Sequence, residues 1–299
     1  ITGPNGLLRQ KLVKKLSVAD QLTLLAPSRG ENRLSDERGY RYVSLDITDP
    51  EAVELVVGEE RPEVIINTAA MTNVDACEAD KQNCDLLNVE AVRYLTKAAG
   101  AVGAHLVHVS TDFIFDGANG PYREDDEPNP LSYYGLSKLK AERIVQESGV
   151  KSAIIRTVLV YGIAEDMSRS NIVLWAKSAL EKGDPINVVD DQFRSPTLAE
   201  DLADGCILAA KKGATGIFNI SGKDQLSVLQ IVQAVCAHWQ LDQSLINPIS
   251  SSTLNQPAKR PPVTGFVLDK AKRELGYQPH SFEEGLALVE RQLKAAGRA

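Results

Sequence analysis

The chain of 299 residues carries 33 Lys and Arg against 40 Asp and Glu, a formal net charge of −7. Its 43% hydrophobic and 24% charged residues are those of a globular chain able to bury a sizeable core. The acidic balance argues against nucleic acid or an anionic membrane as partner, and no apolar run approaches the roughly 18 residues that span a bilayer.

The chain opens on Ile1-Thr2-Gly3, already inside a motif. A dinucleotide fold needs a strand before Gly3, so apolar residues upstream of Ile1 are expected; no signal peptide is. Gly3-Pro4-Asn5-Gly6-Leu7-Leu8 reads as a strand-to-helix turn. There Gly3 permits the tight turn and Gly6 lets a pyrophosphate approach a helix N-terminus. The third glycine of such a turn is replaced by Arg9, which implies a wider helix–sheet fit or a side chain snorkelling outward.

Short β-branched runs then alternate with helical stretches. The strand candidates are Leu22–Ala26, Tyr42–Leu45, Val64–Asn67, Leu106–Ser110, Ala153–Val158 and Gly216–Ile220. Their nearly continuous apolar character suits strands buried on both faces. Leu87–Ala99 is amphipathic at helical spacing, and further helices are expected at Asn171–Lys182, Gln225–His238, Asp269–Leu275 and Phe282–Ala295. The alternation implies an α/β fold, a doubly wound parallel sheet of Rossmann type. A smaller, interleaved C-terminal substrate domain is expected with it. The expected division is 1–162 plus about 186–222 for the dinucleotide, and about 163–185 plus 223–299 for the substrate.

After the first strand come Ser28-Arg29-Gly30, where a ribose-binding acid often sits. Arg29 can stack on adenine and pair with a 2′-phosphate, which favours NADPH; Glu31 keeps NADH open. Tyr134 and Lys138 stand four apart at the start of a helical stretch, on one face. An ammonium beside the phenol is expected to lower its pKa from about 10, as suits a general acid for a carbonyl. Upstream, Ser110-Thr111-Asp112-Phe113 ends one strand and Asn67-Thr68-Ala69-Ala70 another, at the carboxyl edge where ligands of such sheets bind. Asn88 opens a helical stretch and is expected to hold a water or a backbone bond.

Taken together, Thr2-Gly3-x-x-Gly6, Asp46-Ile47, Asn67-Thr-Ala-Ala, Asn88-Val89, Ser110-Thr-Asp and Tyr134-x-x-x-Lys138 resemble the extended short-chain dehydrogenase/reductases. Within them the dTDP-4-dehydrorhamnose reductases are most similar. The supporting stretches are Ser110–Gly117, Pro121-Tyr-Arg-Glu124, Pro128-Asn-Pro130, Asp191-Gln192, Ser195-Pro-Thr197 and Lys259-Arg-Pro261. The resemblance implies Tyr134 as proton donor to a C4 keto oxygen, Lys138 on the nicotinamide ribose and Thr111 polarising the carbonyl. It implies a cofactor site of Gly3, Asn5, Gly6, Leu7, Leu8, Ser28, Arg29, Asp46, Ile47, Ala69, Ala70, Asn88, Tyr134 and Lys138. The implied sugar-nucleotide site is Thr111, Asp112, Phe113, Asn171, Gln192, Thr197 and Arg260, with Arg260 able to meet the diphosphate.

Three departures bear on the substrate: Phe113 where a tyrosine is common, Leu159 where an aromatic is usual, and Arg194 where a small residue is usual. The regulatory β subunits of methionine adenosyltransferase are similar across the same motifs, so a cofactor-binding regulatory subunit is an alternative. Another sugar-nucleotide reductase or epimerase is a third.

Cys77, Cys84, Cys206 and Cys236 form no C-x-x-C pair, and His105, His108, His238 and His280 lie far from them. No metal site is expected, and free, inert thiols in a reducing cytoplasm are. His105 and His108 read as structural residues on opposite faces of a strand, and Trp175 and Trp239 as packing residues. A nucleotide-sugar substrate is the expected partner, and a homodimer is left open.

Overall fold

The computed structural model describes residues 1–3, 6–19, 22–165 and 170–297. Its first half runs α1 (Leu7–Leu16), β1 (Leu25–Ser28), β2 (Arg41–Ser44), α2 (Pro50–Glu60), β3 (Val64–Asn67), α3 (Val74–Ala79) and α4 (Lys81–Asp85). A π-helical turn, Leu86–Glu90, leads into α5 (Ala91–Val102), β4 (His105–Thr111), α6 (Tyr133–Glu147), β5 (Ser152–Thr157) and β6 (Val160–Tyr161). There follow α7 (Ile172–Glu181), β7 (Ile186–Val189), β8 (Phe193–Arg194), β9 (Thr197–Leu198), α8 (Ala199–Lys211) and β10 (Gly216–Asn219). The chain closes with β11 (Leu226–Ser227), α9 (Val228–His238), β12 (Ile246–Ile249) and α10 (Phe282–Ala295).

β10, β5, β4 and β3 pair in that order as a parallel sheet, with β4 buried along almost its whole length. Burial on both faces explains the unbroken apolar reading of these strands. β1 and β2 form a separate parallel pair. Ile1 and Thr2 stitch the two sheets together: the terminal ammonium donates to Leu25 O, the Thr2 amide to Ile66 O, and the Thr68 amide to Thr2 O. Beside them the gap between β1 and β3 is an apolar cavity of about 500 Å³, lined by Leu24, Val43, Leu45, Ile65 and Leu95 among others.

Local signals set the element ends. Asp49 caps α2 by accepting from the Glu51 and Ala52 amides, with Pro50 at the first helical position. Ser132 caps α6 from the Gly135 amide, and Ser227 and Ser281 each form a capping box, with Gln230 and Glu284. The expected first strand, Leu22–Ala26, lies three residues later, at Leu25–Ser28. The Asp269–Leu275 helix is a π-helical turn over Ala271–Leu275. The amphipathic stretch at Leu87 begins in the π turn before α5.

The main cores flank the large sheet. A second core joins Val173, Ala176 and Leu180 of α7 to Ile231, Val232 and Val235 of α9 and to Leu286, Val289 and Leu293 of α10. β7 pairs with β12 in that second core, although Ile186–Val189 falls in the dinucleotide half of the sequence division. Leu268, Ala271, Leu275 and Tyr277 pack into a main-sheet core although they fall in the substrate half. Among the described residues no helix is long and apolar enough to cross a membrane.

Candidate active site

Parallel pairing brings the carboxyl ends of β3, β4 and β5 to one edge, with the end of β1 in its own parallel pair, and Ser28, Asn67 and Thr111 stand at the ends of β1, β3 and β4. Gly3, at φ 131°, sits where a Cβ would stand 2.4 Å from Thr68 Oγ1 and 3.1 Å from the Ala69 amide, so no side chain fits. Gly6 is the N-cap of α1 and offers no side chain to its first amides, those of the turn that begins with Leu7 and Leu8. Asn5 lies outside the described residues. Ser28 is buried at the end of β1. Arg29 projects into solvent, 3.5 Å from the Asp46 carboxylate, which is itself fixed by the Thr48 amide and hydroxyl. Ile47 packs into the core behind Asp46, and Ala69 and Ala70 follow β3 with only small side chains.

Arg9 departs from expectation. Its side chain is 2% exposed and turns inward, donating from Nη2 to Ala26 O at 2.7 Å under β1 and lying 5.8 Å from the Tyr42 ring centre. A guanidinium ties the helix to the strand where a glycine would let them touch.

Thr111 ends β4 and Tyr134 is the second residue of α6. Gly135 presses the first turn of α6 against the loop after β4, so closely that a Cβ would stand 2.1 Å from Phe113 O. This contact sets the Tyr134 hydroxyl on the same side of the loop as Thr111 and Asp112, the groups that act on it. The Phe113 ring meets the Tyr134 ring edge-on at 5.8 Å. Thr111 also donates to Asp112 at 3.0 Å, and Asp112 accepts from Thr264, joining the end of β4 to the C-terminal part of the chain.

Lys138 lies one turn beyond Tyr134, almost wholly buried, with its Nζ donating to Val109 O at 2.8 Å and 3.4 Å from His108 Nε2. The expected lowering of the phenol pKa is not what this geometry gives. Burial raises the Tyr134 pKa, and the Lys138 ammonium is engaged with β4. Desolvation lowers Lys138 itself to about 8. Tyr134 therefore holds its proton at any working pH, as a proton donor must.

Asn88 is fully buried in the π turn, accepting from the Met71 amide at 2.7 Å and donating to Met71 O and Ser137 Oγ, each at 3.0 Å. The expected backbone bond is thus present, and it braces the loop after Ala70 against α6. The Asn171 carboxamide caps α7 and donates to Gly162 O at 2.7 Å. Thr197 is fully buried, with its hydroxyl donating to Val158 O at 2.6 Å. Both side chains are engaged in holding loops.

Gln192 accepts from Arg194, whose guanidinium also donates to Phe193 O, Pro261 O and Pro262 O and lies 5.9 Å from the Phe113 ring centre. Its charge faces Asp112 and Arg260. Arg260 is paired with Asp75 of α3 at 2.7 Å. Motif reading flagged Arg194 only as a departure and passed over Asp75 and Thr264. The contacts they make cross 152 and 185 residues of chain, a separation that local spacing does not report.

With this geometry in place, a family model described as RmlD substrate binding domain matches residues 1–294. The chain belongs to this family. Methionine adenosyltransferase 2 subunit beta of Xenopus tropicalis is 32% identical over 255 residues, covering 84% of this chain and 74% of that protein. The dTDP-4-dehydrorhamnose reductase of Burkholderia thailandensis is 31% identical over 310 residues and covers 98% of both chains. Among solved structures, a dTDP-4-dehydrorhamnose reductase from Clostridium acetobutylicum superposes with a TM-score of 0.85 at 29% identity, covering 97% of each chain. That of Bacillus anthracis, solved in complex with NADP, gives 0.80 at 28% identity, over 95% of this chain and 96% of its own. The RmlD-family match spans both the sheet and the second core, as these structures do.

Among the described residues no group of three or more His, Cys, Asp or Glu is placed to hold a metal ion.

Proposed function

We propose that the protein reduces the C4 keto group of a nucleotide-activated 6-deoxy sugar, dTDP-4-dehydrorhamnose to dTDP-L-rhamnose, with NADPH. The observation that carries this is a buried Tyr134, its proton held by burial, facing Thr111 where α6 packs on the end of β4, with Lys138 buried one turn further along α6. A phenol and a hydroxyl at the carboxyl edge of the sheet suit a carbonyl that gains negative charge. The whole-length likeness to dTDP-4-dehydrorhamnose reductases supports the substrate.

The cofactor fits the residues present. Gly3 leaves the backbone bare, the uncapped end of α1 offers amides to a pyrophosphate, and exposed Arg29 is free to meet a 2′-phosphate beside Asp46. Ser28, Ile47, Ala69 and Ala70 would border that path, and a bound nicotinamide would supply the hydride. Tyr134 then transfers its proton to the C4 oxygen, Thr111 holds that oxygen, and Lys138 orients the nicotinamide ribose. Asp112, Phe113, Gln192 and Arg260 border the sugar nucleotide, with Arg260 exchanging Asp75 for the diphosphate. Asn88, Asn171 and Thr197 support these groups from behind. On this reading the dinucleotide part takes in the main-sheet cores, Leu268 to Tyr277 included, and the interleaved substrate part takes in the second core with β7. The reading puts the enzyme in the cytoplasm, where its four cysteines, none of them in a disulfide, stay reduced, and allows a homodimer.

The test is an NADPH-oxidation screen across nucleotide-linked 4-keto sugars, with NADH in parallel. Oxidation with dTDP-4-dehydrorhamnose supports the reading, and equal rates with NADH remove the role given to Arg29. A second reading, a regulatory subunit, is favoured by the likeness to methionine adenosyltransferase 2 subunit beta. Stoichiometric capture of a methionine adenosyltransferase, with no oxidation on any sugar nucleotide, would establish it instead.

A further inference from the structure

Four polar side chains run from the sheet junction to the candidate site. The Thr2 hydroxyl donates to Asn67 Oδ1 at 2.6 Å, Asn67 Nδ2 stands 3.1 Å from His108 Nδ1, and His108 Nε2 stands 3.4 Å from Lys138 Nζ. The register of β3 on β4 sets Asn67 directly opposite His108, and all four side chains are almost wholly buried.

Hydrogen-bond polarity fixes the protons along this line. The Ala69 amide can only donate, and it donates to Asn67 Oδ1 at 3.2 Å. The oxygen of Asn67 is therefore on that side, and its NH₂ group faces His108. His108 Nδ1 must accept. Burial and the neighbouring ammonium hold the His108 pKa well below 6.5, so the ring is neutral and its one proton sits on Nε2. That N–H points at Lys138, where it finds an acceptor only when the lysine is a neutral amine.

We propose that His108 is a positioning residue whose Nε2–H, set by Asn67, disfavours the ammonium form of Lys138 and so tunes the proton state of the lysine beside Tyr134. The groups facing Lys138 are His108 and Val109 O from β4, Cys84 from α4, and Glu142 on α6 itself. Glu142 favours the ammonium but is shared with Arg156 at 2.8 Å. His108 opposes it from the other side. The kinetic consequence rests on the reductase reading; the proton placement does not.

The test is NMR of the full chain with ¹⁵N-labelled histidine rings and ¹³Cε-labelled lysine, His108→Phe and Lys138→Met assigning the two resonances. The expected His108 spectrum has a protonated Nε2 and a bare Nδ1, constant from pH 6 to 9. Asn67→Asp replaces the NH₂ donor by an acceptor, so Nδ1 takes the proton and Nε2 turns its lone pair to Lys138. The lysine midpoint should then rise by at least one pH unit, a tenfold gain in proton affinity. A wild-type ring protonated on Nδ1 overturns the proposal without any variant. An equal rise from Asn67→Asp in the His108→Phe background overturns it as well, since the added charge alone would then explain the change. In the active enzyme the alkaline limb of kcat/KM moves with the lysine midpoint. A protein that shows the NMR changes but reduces no sugar nucleotide refutes the function and leaves this inference standing.

Discussion

The Arg156 guanidinium of β5 meets the Glu142 carboxylate of α6 at 2.8 Å, with side chains only 3% and 1% exposed. Arg156 also donates to Glu124 O and lies over the Phe115 ring at 5.3 Å. The pair thus anchors the helix that carries Tyr134 and Lys138 to the sheet. Removing one member leaves an uncompensated buried charge, at a cost of about 3–5 kcal/mol. Glu142→Ala is expected to lose that much in urea unfolding, while Glu142→Leu with Arg156→Met recovers most of it. A single-variant loss below about 1 kcal/mol would remove the anchoring role.

Lys138 gives the fold a pH dependence of defined sign. Its folded pKa, about 8, lies below the 10.5 of a free lysine. The unfolded chain therefore binds more protons between those values, and stability rises as pH climbs through that window. Below pH 8 keeping the buried lysine as an ammonium costs on the order of 3 kcal/mol, since a tenfold loss of proton affinity is worth about 1.4 kcal/mol. Lys138→Met should unfold at higher denaturant than the wild type at pH 7 and converge with it near pH 10. Parallel curves across this range would contradict the assignment.

Arg260 and Asp75 make an ion pair between the loop before Pro261 and α3, with side chains 18% and 37% exposed. A partly exposed pair of this kind is worth at most about 1 kcal/mol. Asp75→Asn frees the guanidinium for a diphosphate, so the KM for the sugar nucleotide is expected to fall up to about fivefold with kcat unchanged. The gain should shrink with added salt, because the diphosphate contact is screened. A raised KM would show that Asp75 orients Arg260 and does not compete for it.

Asn88 joins the Met71 backbone to Ser137 and so links the loop after β3 to α6. Asn88→Ala leaves the Met71 amide and carbonyl without these partners, a loss of about 1–3 kcal/mol. Hydrogen exchange at Met71 should accelerate far more than at the β4 amides. Uniform acceleration would show that the two regions open together.

The sheet was legible because its strands are unbroken apolar runs, and the site because Gly3, Thr111, Tyr134 and Lys138 sit at motif spacing. What escaped depends on register and on partners distant in sequence. Arg9 reads as either a wider helix–sheet fit or an outward side chain until β1 is seen to offer it Ala26 O. His108 reads as a filler until β3 sets Asn67 opposite. Cys84 reads as an inert thiol, yet its sulfur shares hydrogen bonds with Ser137 and Asn88, and its neighbours draw its pKa down from the ordinary thiol value. Asn171 and Thr197 carry ligand-like side chains whose bonds go to the protein's own backbone.

The most direct test of the account is single-turnover reduction of dTDP-4-dehydrorhamnose by NADPH with Tyr134→Phe. The phenylalanine keeps the ring packed on Phe113 and removes only the proton donor. NADPH affinity should stay within about twofold, while the rate of hydride transfer falls by about 10²–10⁴, the range for a lost general acid. Wild-type turnover in this variant would contradict the central claim.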